Sequence, residues 1–115
     1  MSVSILIERL NKSPEDVSFD EVIAVIGDFY DYTPTRFTNG EAVNEQGTNA
    51  GSCKIFAFAQ LNDLSENATL ACFGKYYRED VLQHPEATDH ANIRNFMVHG
   101  WAGIKFDSQA LVLKK

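Results

Sequence analysis

The sequence has few cysteines, few basic residues and no long apolar run, and each shortage excludes a class of protein. Its two cysteines are far fewer than a small disulfide-stabilised secreted domain carries, so we expect both thiols to be reduced. Ten basic residues against sixteen acidic ones give a formal net charge of −6, which argues against nucleic acid as a partner. No apolar stretch approaches the roughly 20 residues that span a bilayer, and the first residues do not resemble a secretion signal. A membrane partner is therefore not expected either.

The composition is that of one ordinary globular domain. The chain has 115 residues, of which 44% are hydrophobic, and eight are phenylalanine. A chain of this length buries roughly two-thirds of its unfolded surface, so it needs no metal or disulfide to be stable. No linker, repeat or low-complexity tract divides it. We therefore predict a single domain over residues 1–115 without a cofactor.

Apolar spacing and capping residues predict several short helices. The apolar segment that begins at Cys53 reads as a helix or a buried strand, and its continuation in step to Leu64 favours the helix. A capping box at 18–21 starts one helix, and Ser65 and Asp89 are expected to cap two others. The predicted helices cover about 2–12, 18–30, 53–64, 65–74, 76–84 and 89–100.

Two segments read as β-hairpins. Residues 35–44 surround Asn39-Gly40, a pair that supplies the two positive φ angles of a type I′ turn. Residues 104–106 and 110–113 form the arms of a second predicted hairpin around 107–109. We expect the two hairpins to join in one small antiparallel sheet with the helices on one face, which is an α+β fold.

The polar loop 44–54 is the most unusual stretch and the first candidate site. If a helix follows it, the free N–H groups and positive dipole end of that helix point into the loop and favour an anion. The glycine spacing does not match a phosphate-binding P-loop. We predict a binding site for a protein or a small anionic ligand, formed by Asn44, Gln46, Asn49, Ser52, Lys54 and Tyr77.

Cys53 raises an enzymatic alternative. A thiol near a helix start is activated by the dipole, and His90 or His99 would be its general base in a hydrolase or acyl-transfer enzyme. The competing interpretation is that Cys53 is a small buried apolar residue. A thiol–imidazole contact beside an open cleft would distinguish the two.

A metal site is the third hypothesis. Asp80 and His84 are four residues apart on a predicted helix, and Asp89 and His90 follow shortly after. Together they offer mixed oxygen and nitrogen ligands, although the spacing matches no named motif. Side chains at helix ends more often act as caps or surface polar groups.

Four strings together resemble the HopJ family, whose members are described as type III effectors. They are FTNG at 37–40, NEQGTNAGSCKIF at 44–56, CFGKYYREDVLQHP at 72–85 and NIRNFM at 92–97. The similarity extends over nearly the whole chain, from about Leu6 to Phe106. It implies a small bacterial protein of the cytoplasm, or one secreted by a type III system to reach a host-cell target. It provides no catalytic residue, so the prediction is a small binding domain rather than an enzyme.

Overall fold

Serine side chains begin three of the five α-helices in the computed structural model, which describes residues 2–115. Ser2, Ser18 and Ser65 each accept a hydrogen bond from a backbone N–H in the first turn of the helix that follows. The apolar segment after Cys53 is helical, as predicted. The helices are α1 (Val3–Lys12), α2 (Phe19–Phe29), α3 (Ala50–Leu61), α4 (Glu66–Ala71) and α5 (Ala91–His99), with a π-helical segment at Tyr76–Val81 and 3-10 turns at Pro14–Asp16 and Gly100–Gly103.

Five three-residue strands form two small antiparallel sheets, so the α+β class is confirmed. The strands are β1 (Tyr30–Tyr32), β2 (Phe37–Asn39), β3 (Ala42–Asn44), β4 (Ile104–Phe106) and β5 (Leu111–Leu113). One sheet has the order β3-β2-β4 and the other pairs β1 with β5. The hairpin of β2 and β3 is confirmed.

The predicted second hairpin is wrong, because β4 and β5 pair with different strands. The tail runs antiparallel to residues 30–39 along its whole length instead of folding back on itself. Between the two sheets, Asp107 N–H donates to the Arg36 carbonyl and Thr33 N–H donates to the Ala110 carbonyl. These two bonds bridge the gap between the sheets, so one interrupted antiparallel ladder replaces the expected hairpin.

The turn between β2 and β3 also differs from the predicted type I′ turn. Asn39 pairs with Ala42, so Gly40 and Glu41 form the two-residue loop and Asn39 belongs to the strand. Gly40 has a φ of 60°, whereas Asn39 and Glu41 do not have positive φ. A positive φ confined to the first loop residue is the pattern of a type II′ turn. The Asn39 side chain is therefore free to enter the core, where it is fully buried.

The core is organised around α3, which is buried on most of its sides. Phe56 lies at its centre, and its ring centroid is 5.1 Å from that of Phe96 and 5.5 Å from that of Phe73. Phe37 from β2 and Trp101 complete the cluster. The packing fixes the start of α3 against the starts of α2 and α5, and these three helix starts border the candidate site.

Candidate binding site

A cleft of about 580 Å³ opens where the starts of α2, α3 and α5 meet the edge strand β3. Its volume is typical of a pocket for a small organic ligand. Among the described residues, none that lines the cleft is acidic, although the chain carries sixteen acidic residues. The lining residues are Phe19, Ala42, Val43, Asn44, Asn49, Gly51, Ser52, Phe73, Tyr76, His90, Ala91, Asn92 and Ile93.

The helices α3 and α5 both begin at this cleft without a side-chain cap. Asn49 and His90 precede them in the left-handed conformation, with φ angles of 49° and 52°, and neither caps its own helix. The first intrahelical bonds are donated by the N–H groups of Cys53 and Arg94. The three N–H groups before each of these lack a helical acceptor, so two positive helix ends converge on one cleft.

The expected cap at Asp89 does not form, because this side chain has another partner. One Asp89 carboxylate oxygen accepts a hydrogen bond of 2.8 Å from the Arg94 guanidinium. His90 takes the N-cap position instead, and its Nε2 lies 3.1 Å from an oxygen of Asp80. Neither side chain therefore reaches the first-turn N–H groups of α5.

Buried amide side chains form the floor of the cleft. Asn92 Nδ2 donates to Asn44 Oδ1, and Asn44 Nδ2 donates to Asn92 Oδ1, at 2.9 and 3.1 Å. Asn49 Nδ2 donates to the same Asn44 oxygen, and Asn39 Nδ2 donates to both oxygens of Asn92. The network joins the starts of both uncapped helices to the β2–β3 hairpin, which holds the cleft in one shape.

An aromatic wall faces this floor. It consists of Phe19, Phe73 and Tyr76. The rings of Phe19 and Tyr76 meet edge to face at 5.2 Å, and Tyr76 packs against the His90 imidazole at 5.3 Å. Gly51 makes room for this wall, because a Cβ at this position would lie 2.8 Å from Cζ of Phe19. The cleft therefore combines an apolar side with a floor of hydrogen-bonding groups.

Three of the six predicted binding residues line the cleft, namely Asn44, Asn49 and Ser52. The other three do not. Gln46 is exposed on the loop, and the Lys54 ammonium lies over the Tyr32 ring at 4.8 Å. Tyr77 packs against the core, and its neighbour Tyr76 faces the cleft. The six predicted binding residues did not include Phe19, Tyr76 or Asn92, and His90 was predicted only as a general base or a metal ligand.

The sequence carried one usable signal for the missed half of the site. The first turns of both α3 and α5 lack acidic residues. In contrast, α2 and α4 start with a serine cap and at least one acidic residue in the first turn. An uncapped helix start leaves N–H groups available to another partner.

The sequence profile of the HopJ type III effector protein family matches residues 3–111. The chain belongs to the HopJ family. This confirms the resemblance that the four strings indicated. No curated protein matches the chain. The chain is also similar to a solved structure, the crystal structure of VPA0580, a protein of unknown function, with 56% identity and a TM-score of 0.97. That similarity covers 99% of this chain and 95% of the other.

In this HopJ member, the surroundings of Cys53 do not favour a thiolate nucleophile. The thiol is buried and lies 4.0 Å from the Thr35 carbonyl oxygen. Burial raises its pKa above the usual value, although hydrogen bonds from Tyr32 and at Thr35 oppose the shift. Of the proposed bases, His90 lies in the cleft beside Asp80, and His99 packs against Gly40.

Both thiols should therefore remain unreactive toward iodoacetamide at pH 8 while the protein is folded. An ordinary thiol has a pKa of about 8.5, whereas burial raises that of Cys72 to about 12 and also raises that of Cys53. Mass spectrometry after timed alkylation would measure each site separately. Both cysteines should label rapidly in urea, which serves as the control. Rapid labelling of Cys53 in the folded protein would restore the nucleophile hypothesis.

The four candidate metal ligands are only partly brought together. His90 Nε2 lies 3.1 Å from an Asp80 oxygen and 3.9 Å from an Asp89 oxygen. His84 lies apart from this group, on the exposed turn after the π-helical segment. Within residues 2–115, no group of three acidic, histidine or cysteine side chains has a metal-binding arrangement. The same part of the chain contains no helix long and apolar enough to cross a membrane.

Proposed function

We propose that the chain is a small binding domain whose cleft takes an organic anion with an apolar group. The observation that carries the proposal is the convergence of two uncapped helix starts on one cleft without acidic lining. Backbone N–H groups at a helix start bind carboxylates and phosphates through direct hydrogen bonds and the helix dipole. The aromatic wall of Phe19, Phe73 and Tyr76 would bury the apolar part of the ligand.

The polar network supports binding rather than catalysis. Asn44 and Asn92 donate to and accept from each other, so their side chains hold the cleft rather than act on a ligand. The imidazole of His90 is oriented by Asp80 and packs at a tilt against the Tyr76 ring, so it offers a fixed contact surface to a ligand. The cleft therefore offers donors and apolar area in fixed positions.

Family membership supports secretion through a type III system into a host cell, where the bound anion would belong to a host molecule. A role in the bacterial cytoplasm before or instead of secretion is the alternative, and the same cleft serves both. The net charge of −6 makes the uncharged, N–H-lined cleft the natural place for a negatively charged ligand on this molecule.

Phenylacetate should bind in the cleft, and its neutral analogue phenylacetamide should bind at least about tenfold more weakly, because only the carboxylate interacts with the helix ends as a charge. A titration followed by 15N–1H NMR would show the site directly. The expected result is saturable shifts at the amides of Gly51, Ser52, Asn92 and Ile93. Shifts scattered over the surface, or equal affinity for the two compounds, would contradict the proposal.

A matched pair of variants at Ala91 sharpens this test. Ala91 is the exposed first residue of α5 and lines the cleft. Ala91→Asp places a carboxylate where it favours the helix but repels an anionic ligand, so stability should hold while phenylacetate binding falls about tenfold. Ala91→Asn has the same size without the charge and should retain most of the binding. If both variants bind phenylacetate equally, the helix ends do not hold the anion.

A further inference from the structure

The outer strand of the three-stranded sheet has unpaired backbone groups at the cleft. The strand order β3-β2-β4 leaves β3 at an edge, and all three of its residues line the cleft. The N–H of Gly40 donates to the Gly103 carbonyl, so even-numbered positions on this part of the chain bond toward β4. The hydrogen-bonding groups of Phe37 and Asn39 consequently point toward β3.

This alternation decides where the backbone of Val43 points. Val43 lies opposite Thr38, whose hydrogen-bonding groups face β4 rather than β3. In an antiparallel ladder, the residue opposite such a position directs its own N–H and C=O away from the partner strand. Val43 therefore presents one donor and one acceptor on the free edge, and its side chain is 54% exposed.

A free strand edge binds an extended chain through backbone hydrogen bonds, and the rest of the cleft limits what that chain can be. At the uncapped starts of α3 and α5 the cleft offers N–H groups and the partial positive charge of the helix dipoles. Beside them, Phe19, Phe73 and Tyr76 offer an apolar surface. An internal peptide segment carries no negative charge on its backbone, whereas a chain terminus with a free α-carboxylate does. Complementarity of charge thus selects the C-terminus.

We propose that the cleft binds the C-terminal tail of a partner protein whose last residue is apolar. The tail adds to the edge of β3, its penultimate backbone pairs with Val43, and its α-carboxylate meets the N–H groups at the helix starts. The last side chain lies against the aromatic wall. This inference rests on the proposed anion site and names the ligand that would occupy it.

The probe is a pentapeptide, acetyl-Gly-Ser-Thr-Val-Phe with a free C-terminal carboxylate, and its matched control is the same peptide as the C-terminal amide. Calorimetry should give binding of the acid and at least about tenfold weaker binding of the amide, because the amide removes the charge at the helix ends. Equal affinities would overturn the proposal. NMR shifts for the acid should include Val43 in addition to the amides that phenylacetate moves.

Variants at Val43 separate strand pairing from anion binding. Val43→Pro removes the outward N–H without breaking a bond to β2, and proline is accepted on edge strands. It should lower the affinity for the acid peptide about fivefold, because a single backbone hydrogen bond is lost, and lower the affinity for phenylacetate clearly less, because phenylacetate has no backbone to pair with the Val43 N–H. Val43→Thr keeps the N–H and should bind the peptide like the parent protein. Saturable phenylacetate binding by the proline variant also shows that this variant is folded.

The outcomes for the two proposals are distinct. If phenylacetate binds in the cleft but the acid peptide does not, or if Val43→Pro leaves the peptide affinity unchanged, the tail proposal fails and the anion site stands. If neither phenylacetate nor the peptide perturbs the cleft amides, both proposals fail. A roughly fivefold loss of peptide affinity in Val43→Pro with a clearly smaller effect on phenylacetate supports both proposals.

Discussion

Replacing Phe56 by alanine should lower the free energy of unfolding by about 3–5 kcal/mol, the range expected for a large aromatic side chain removed from a core. The ring is fully buried and is in contact with aromatic rings from three other parts of the fold. Alanine would lose these contacts and leave a cavity that the surrounding rings cannot fill without moving. Urea denaturation followed by circular dichroism would measure the change.

Phe29→Ala is a suitable control for this experiment, because it removes the same atoms from a side chain that is 38% exposed. Phe29→Ala should lower the free energy of unfolding by clearly less than Phe56→Ala does. The effect of Phe56→Ala should also reach the cleft, since Phe73 packs on Phe56 and lines the cleft wall. A loss below about 1 kcal/mol for Phe56→Ala, well under the usual cost, would mean that the core is not organised around this ring.

Replacing Gly74 by alanine should lower the free energy of unfolding by about 2–4 kcal/mol. Two effects add: the backbone of this residue is left-handed, and a Cβ would overlap a neighbouring backbone atom. Gly74 has a φ of 58°, a left-handed conformation that is unfavourable for any residue with a Cβ. A Cβ here would also lie 2.7 Å from the backbone nitrogen of Phe19, which is not the flexible end of a side chain. The start of α2 would have to shift, and the Phe19 ring in the cleft wall would shift with it.

The matched control is Gly27→Ala, the same substitution inside α2. No atom lies within 4 Å of a Cβ at this position, and its φ is not in the left-handed range. Alanine there should raise stability by about 0.5–1 kcal/mol, because glycine is a poor residue in a helix interior. Thermal melts of the two variants should therefore move in opposite directions. Equal shifts in melting temperature would show that the close approach of Gly74 to Phe19 does not affect stability.

The helices were predictable because their signals are local. Ser18 and Ser65 cap the helices that they precede, and the apolar run after Cys53 is long enough to distinguish a helix from a strand. The strand pairing was not predictable in the same way. Three-residue strands carry little pattern, and the partners of β4 and β5 were decided by residues 30–39, far away in the sequence.

The candidate site was half predictable for a similar reason. Asn44, Asn49 and Ser52 lie close together in sequence and were found from the loop composition. Asn92 and His90 reach the same place only through the tertiary fold, so composition could not connect them to the loop. Tyr76 and Tyr77 are adjacent aromatic residues, so the sequence did not show which of them faces the cleft and which packs against the core.

The pairing of β5 with β1 also has a consequence for how the domain is made. Tyr30 pairs with Leu113, so this sheet closes a loop that contains most of the chain. Closing a long loop costs entropy before any pairing is gained, and proteins rich in such contacts fold slowly. While the chain leaves the ribosome, α1 and α2 can form from local sequence, but β1 stays unpaired until residues 111–113 emerge. Folding is therefore completed after nearly the whole domain has been synthesised.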